Sequence, residues 1–252
     1  MYDLTGKQIL VTGASKGIGK AIARQLLKQG ASVGLHYNSS PQGVQELVGE
    51  FGPERAIPLQ ADLEDNQQTT ALFRNALKKL PNLESVVLNA GIFPPHPISD
   101  SLDSWLKIWQ KTMRVNLESA GILTKLFLEH FQKNDQGRLI YIGSRAAVRG
   151  ETEEYLAYAA SKGGLSSLAK SVARSFGKYN IKAFVIAPGF IRTEMAMEAI
   201  SKIGEDKVVD ELALNRLTTP EDIAPIVALL CSGELDHATG TTIDINAGSH
   251  IR

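Results

Sequence analysis

Tyr158 and Lys162 stand four residues apart in the Ala- and Ser-rich segment Leu156–Tyr179, which reads as helix, so the two side chains share one face. A free phenol has a pKa of about 10 and parts with its proton reluctantly at neutral pH. A neighbouring ammonium favours the phenolate and should bring the group toward working pH, which suits the pair to general acid–base chemistry. Of the 6 tyrosines only Tyr158 has a lysine four residues on, and the nearby Tyr155 is followed by Ala159. The pattern Y-x-x-x-K is weak by itself and needs a setting. Ser144, at the end of an apolar run, offers a hydroxyl able to hold a carbonyl oxygen, although alone it is a small residue ending a strand.

A second cluster, Thr12-Gly13-Ala14-Ser15-Lys16-Gly17-Ile18-Gly19, follows the first apolar run and opens a helical segment. Its glycines permit a tight turn and let a diphosphate approach the backbone, while the helix N-terminus favours negative charge. A Gly-rich turn without a ligand has the same composition. The position between strand and helix favours a nucleotide. The spacing TGxxxGxG differs from the commoner GxGxxG. Farther on, Asp62-Leu63 and Asn89-Ala90-Gly91 each follow another apolar run. Taken singly, Asp62 reads as a helix cap and Asn89 as a turn former.

The elements that must position these residues alternate strictly. Apolar runs at Lys7–Thr12, Ala31–Tyr37, Arg55–Gln60, Glu84–Asn89, Arg138–Gly143, Ile181–Ala187 and Thr242–Ile245 read as strands. Helix-period segments at Ile18–Gln29, Val44–Phe51, Asn66–Leu80, Ser104–Gln132, Leu156–Tyr179 and Pro220–Cys231 separate them. Pro220 at a first helical position, with Glu221 and Asp222 in the first turn, suits a helix start. Such alternation makes βαβ units with right-handed crossovers and a parallel sheet. No linker, composition break or fixed-period repeat divides the chain. Residues 1–252 therefore read as a single doubly wound α/β domain. Ligands of such sheets lie at the carboxyl ends of the strands, where the motifs fall.

Thr12–Gly19, Asp62, Asn89-Ala90-Gly91, Asn116, Ser144, Tyr158-Ala159-Ala160-Ser161-Lys162 and Pro188-Gly189, in that order along the whole chain, make the sequence resemble the short-chain dehydrogenase/reductase family. Within it the resemblance is to the 3-oxoacyl-[acyl-carrier-protein] reductase group. It implies a Rossmann-like domain with a seven-stranded parallel sheet in the order 3-2-1-4-5-6-7, helices on both faces, and a substrate lid around 193–219. It further implies an oxidoreductase moving hydride between a nicotinamide and a carbonyl or secondary alcohol, with 3-oxoacyl thioesters as one substrate class. Sugars, steroids and other small alcohols are alternatives. A non-catalytic NADP-binding regulator is the competing class, against which the intact Ser144, Tyr158 and Lys162 argue.

The resemblance also assigns roles. Tyr158 is the proton donor, Ser144 holds the carbonyl oxygen, Lys162 binds the nicotinamide ribose, and Asn116 anchors a water joining Lys162 to solvent. The implied cofactor contacts are Gly13, Ser15, Lys16, Gly17, Ile18, Gly19, Asn38, Asp62, Leu63, Asn89, Ala90, Gly91, Tyr158, Lys162, Pro188, Gly189, Ile191 and Thr193. One departure is visible: Ser144 to Tyr158 is one residue longer than usual, which leaves the loop Arg149–Glu154 to take up the excess. The family is usually tetrameric through the stretch near Ser104–Gln132, the Tyr158 helix and the last strand, so a homotetramer is expected. Ala159, Gly163, Gly164 and Ser167 suit close packing there, or equally against the sheet.

NADP(H) is expected in preference to NAD(H). NAD-preferring relatives carry an acid at the end of the second strand, where it would repel a 2′-phosphate. Here that stretch reads His36-Tyr37-Asn38-Ser39-Ser40, and the next acid is Glu46. Lys16 occupies the loop position that is basic in NADP(H)-using relatives; a solvated loop lysine is the alternative reading. Arg145 and Arg149 could meet an anionic substrate, but more often such arginines are solvated or pair with acids, here Glu151–Glu154.

Composition bounds the rest. Lys+Arg and Asp+Glu are both 27, so the basic excess of a general nucleic-acid binder is missing. A single cysteine, Cys231, cannot form an internal disulfide and fits a reducing compartment. With no apolar run of membrane-spanning length and no signal-peptide pattern in MYDLTGKQILV, a cytoplasmic protein without a membrane partner is expected. The 5 histidines show no metal-ligand spacing, and no metal is expected.

Overall fold

Seven apolar runs pair side by side in one sheet, every neighbouring pair parallel. They are β1 (Gln8–Val11), β2 (Ser32–Tyr37), β3 (Ala56–Gln60), β4 (Leu83–Leu88), β5 (Gly137–Ile142), β6 (Ile181–Pro188) and β7 (Thr242–Ile245). Their order is β3-β2-β1-β4-β5-β6-β7, as the resemblance implied. The computed structural model describes residues 2–194, 196, 197, 200 and 204–251.

Because the central strands are buried on both faces, their sequences read as continuous apolar runs rather than alternating ones. One face is covered by α1 (Gly17–Lys28) and α2 (Gln42–Phe51), packed in a cluster that includes Ile22, Leu26, Val44 and Leu47. The other carries α3 (Asn66–Lys79), whose Leu72 and Ala76 join Phe127, Phe131 and Leu165 in a second cluster. The chain reverses direction of winding between β1 and β4, which opens a crevice at their carboxyl ends.

The single stretch expected at Ser104–Gln132 is three pieces. α4 (Leu102–Met113) passes into a π-helical turn, Arg114–Glu118, and then into α5 (Ser119–Asn134). Asn116 sits in that turn, where the wider i→i+5 spacing inserts a residue and re-aims the side chains. The helix cap expected at Asp62 is instead Asp65, whose carboxylate accepts from the backbone N–H groups of Gln67 and Gln68. Asp62 accepts from the N–H of Glu64 one turn earlier.

After β5 come a short helix α6 (Ala146–Arg149), a left-handed Gly150, a 3-10 turn at Glu153–Tyr155 and the long α7 (Leu156–Phe176). Of the stretch 193–219 anticipated as a lid, residues 195, 198, 199 and 201–203 lie outside the described residues. The remainder contains α8 (Glu205–Asp210), and Ile200, Val208 and Leu217 form a small cluster of their own. α9 (Pro220–Ser232) starts with a capping box between Thr219 and Asp222. Among the described residues no helix is long and apolar enough to cross a membrane.

Candidate active site

The crevice at the carboxyl ends of the strands is a cavity of about 490 Å³. Along one side run Gly13, Ser15, Lys16, Gly17, Ile18 and Gly19 from the turn after β1, with Asn38 from the end of β2 and Asp62-Leu63 from the end of β3. Along the other lie Asn89-Ala90-Gly91, Ser144, Tyr158, Lys162, Pro188-Gly189, Ile191 and Thr193. All of the sequence-assigned cofactor residues, with Ser144, therefore line one space. Asn116 does not line it and lies behind Gly91. A Cβ added to Gly91 would stand 3.4 Å from Asn116 Oδ1 and 3.6 Å from Lys162 Nζ.

The glycine turn is held in shape from below. Gly13 has φ +67°, a region that L side chains rarely adopt. A Cβ on Gly19 would overlap Gly13 O and Asn89 Nδ2, so helix and turn approach as closely as backbone allows. Thr12 Oγ1 accepts from the N–H groups of Asn89 (2.9 Å) and Ala90 (3.0 Å). Asn89 Nδ2 donates to Thr12 O (2.8 Å) and Gly13 O (3.2 Å), so this residue braces the turn rather than merely forming one.

His36, given no role from the sequence, is the second brace. It is buried beneath the turn, with Nδ1 accepting from the Gly13 N–H at 3.0 Å and Nε2 3.1 Å from Ala61 O. This geometry requires a neutral ring protonated on Nε2, and burial pulls the pKa down to about 4. The only sequence signal was its place at the end of a strand.

α1 opens on the cavity without a capping side chain and without an acid in its first turn, whereas α3, α4 and α9 are capped by Asp65, Ser101 and Thr219. Its free N–H groups and positive dipole end suit a diphosphate. Lys16, beside it, lies 3.3 Å from Glu194 in an exposed ion pair. A dinucleotide fits this set: a backbone cradle that a Cβ would fill, an uncapped helix, and a lysine at the rim.

At the other end the reactive groups converge. Ser144, whose Oγ accepts from the Ala146 N–H at 3.1 Å, neighbours the Tyr158 phenol, and Lys162 Nζ donates to Ile142 O at 2.8 Å while lying 5.6 Å from the centre of the Tyr158 ring. Asn116 grips the segment after Gly91 at two points: its Oδ1 accepts from the Ile92 N–H (2.8 Å) and its Nδ2 donates to Ile92 O (2.9 Å). The same Nδ2 reaches Ser161 Oγ at 3.2 Å, and Ser161 Oγ donates to Tyr158 O. The side chain of Asn116 thus ties Gly91–Ile92 to the helix that carries Tyr158. His96, also unassigned from the sequence, accepts from the Ala157 N–H at 3.0 Å and supports the start of that helix.

The expected lowering of the Tyr158 pKa is not what the site gives. Burial pushes the phenol up to about 12, outweighing the Ser144 hydrogen bond, and it pulls Lys162 down to about 8. Both shifts have one cause: a closed site penalises whichever form is charged. Phe93 stacks on Tyr155 (centroids 3.9 Å) and meets Tyr158 edge-on (4.6 Å), forming an aromatic wall. The acids Glu151–Glu154 are not the partners of the two arginines: Arg149 pairs with Glu211, and Arg145 is buried with no ion pair among the described residues. Gly164, one of the small residues of α7, packs within this chain, a Cβ there lying 2.8 Å from Leu117 Cδ2. No group of three or more His, Cys, Asp or Glu suited to a metal occurs among the described residues.

Residues 13–250 match a family model described as enoyl-(acyl carrier protein) reductase. The chain is 34% identical over 248 residues to nodulation protein G of Rhizobium sp. (strain N33), with 98% of both chains covered. It is 31% identical over 257 residues to glucose 1-dehydrogenase 2 of Bacillus subtilis, covering 98% of this chain and 96% of that one. It is 33% identical over 254 residues to 3-oxoacyl-[acyl-carrier-protein] reductase FabG of Vibrio cholerae, with 99% of both covered.

Proposed function

The chain belongs to the short-chain dehydrogenase/reductase family of oxidoreductases, and from that premise we propose that it is an NADP(H)-dependent carbonyl reductase. The observation that carries the reading is the convergence of Ser144, Tyr158 and Lys162 at one end of a cavity whose other end is the glycine cradle. NADPH, when bound, supplies the hydride. Gly13 to Gly19 would hold its diphosphate, Lys16 with Asn38 its ribose phosphate, and Lys162 the nicotinamide ribose.

Ser144 positions the substrate oxygen by donating a hydrogen bond that strengthens as charge develops there. Tyr158, holding its proton at neutral pH because burial raises its pKa, gives that proton to the developing alkoxide. Lys162 stabilises the phenolate left behind, and Asn116 keeps the Tyr158 helix and the Gly91 segment in register. A site that rests with its phenol protonated is set for reduction. The stretch 193–219 serves as the lid over the substrate. The relatives' names make 3-oxoacyl thioesters and sugars the first compounds to try.

The test is NADPH consumption against a panel of acyl thioesters, sugars and cyclic ketones, each repeated with NADH. Turnover of at least one ketone with NADPH supports the proposal; cofactor binding without turnover of any would favour a regulator. We also propose a homotetramer. The shallow apolar surface lined by Leu117 of the π-helical turn, Gly121, Ile122 and Leu126 of α5 and Leu168 of α7 supports it, and a monomer by light scattering at micromolar concentration would refute it.

A further inference from the structure

Arg145 carries a charge that the proton-transfer groups do not explain. It follows Ser144 directly, so the two side chains leave Cα atoms about 3.8 Å apart. Its backbone N–H donates to Pro188 O at 3.0 Å, which fixes the start of α6 against the end of β6. Arg145 is among the residues that line the same cavity, is only 4% exposed, and lies with its guanidinium carbon 4.6 Å from the centre of the Phe190 ring. Nη1 is buried without a hydrogen-bond partner, and the group makes no ion pair among the described residues. Burial lowers its pKa, yet a guanidinium does not lose its proton in proteins. A buried cation without a partner is costly, and this one is kept beside the reacting hydroxyls.

The neighbouring charges sharpen the point. Arg149, four residues on at the end of α6, is exposed and paired with Glu211. Glu151 lines the cavity too, half-buried, and its carboxyl is raised by burial, but it is not within ion-pair distance of Arg145. The cavity therefore presents a guanidinium without an ion pair among the described residues, with Glu151 and the Arg149-bound Glu211 as the acids that act on it from a distance. A planar carboxylate matches the guanidinium fork, whereas a phosphate dianion would meet one cation and be repelled by Glu151.

We propose that Arg145 binds a carboxylate of the substrate, so that the substrate class is oxo acids: ketones bearing a carboxylate a few bonds from the reacting carbonyl. This rests on the reading that reduction takes place at Ser144 and Tyr158. It sets the chain apart from a thioester reductase, whose substrate carries no charge next to the reacting carbon. Arg145 is then a specificity residue. The stability it sacrifices in the free protein is recovered when the carboxylate arrives.

The experiment measures kcat/KM with NADPH for matched pairs, acetoacetate with methyl acetoacetate and levulinate with methyl levulinate. The wild type should favour the acid in at least one pair by at least about tenfold, the scale of one charge-assisted contact. Arg145→Gln should lose that preference while keeping the ester within about threefold and melting no lower than wild type. Arg145→Lys should fall between. Glu151→Gln should raise the rate on the acid a few-fold. Equal rates on acid and ester in the wild type, or an equal loss on both in Arg145→Gln, would overturn the proposal. Calorimetric titration of levulinate into protein with NADP+ separates the two readings. Binding lost in Arg145→Gln with no ketone turned over would sink the reductase assignment and keep the carboxylate site. Ester turnover without levulinate binding would do the reverse.

Discussion

Lys16→Ala probes the basis of cofactor choice at a point where the structure alters the expected size of the effect. A charge-assisted contact to a 2′-phosphate is worth about 1.5–3 kcal/mol. In the free protein, however, the ammonium already lies 3.3 Å from Glu194, with side-chain exposures of 62% and 79%. Such an exposed pair contributes about 0.2–1 kcal/mol, which the phosphate must displace. The net gain is then about 0.5–2.8 kcal/mol, or about 2- to 110-fold in affinity. Fluorescence titration of both cofactors is the assay. Lys16→Ala should weaken NADPH binding by that factor and leave NADH within about twofold. Glu194→Gln removes the competitor and should tighten NADPH by up to about fivefold, an effect that vanishes in the double variant. An equal loss for both cofactors, or a wild type that prefers NADH, would refute the role given to Lys16.

Two further perturbations test the cradle. Gly19→Ala puts a methyl into Gly13 O and Asn89 Nδ2, so cofactor affinity should drop at least about tenfold and stability by about 1–3 kcal/mol, read by titration and thermal melting. His36 concerns pH. Its pKa is depressed in the folded state to about 4 from 6.5, so its contribution is fully present above pH 6.5 and is lost as pH falls toward 4. That loss amounts to about 3 kcal/mol, since each pKa unit is worth about 1.4 kcal/mol. In urea unfolding at stepped pH, His36→Gln should flatten this acid limb; an unchanged limb would deny the histidine its part.

Much of this was legible in the sequence because the signals were local and repeated. Apolar runs separated by helix-period segments can only pair as a parallel sheet, and a TGxxxGxG turn after the first run marks where its ligand edge lies. What escaped was geometry without periodic trace. The π-turn at Arg114–Glu118 adds one residue to a helix, too little to disturb a helical pattern, yet it is what lets Asn116 grip Ile92. Asp62 and Asp65 are equally good caps by composition, and only the backbone decides between them. His36 and His96 look like scattered histidines until the Gly13 and Ala157 N–H groups are found pointing at them. The isolation of Arg145 and the burial of Tyr158 depend on neighbours distant in the chain. Residue types alone therefore suggested solvated arginines and a lowered phenol pKa.

The central claim is that Tyr158 delivers the proton, and Tyr158→Phe beside Tyr155→Phe tests it most directly. The first substitution removes one hydroxyl beside Ser144, while the second leaves a ring stacked on Phe93. Single-turnover reduction of a ketone found in the substrate panel, with NADPH affinity measured in parallel, is the measurement. Tyr158→Phe should bind NADPH almost as wild type and lose at least about 10²-fold in rate, whereas Tyr155→Phe should stay within a few-fold. Equal losses in the two variants, or full activity in Tyr158→Phe, would contradict the account.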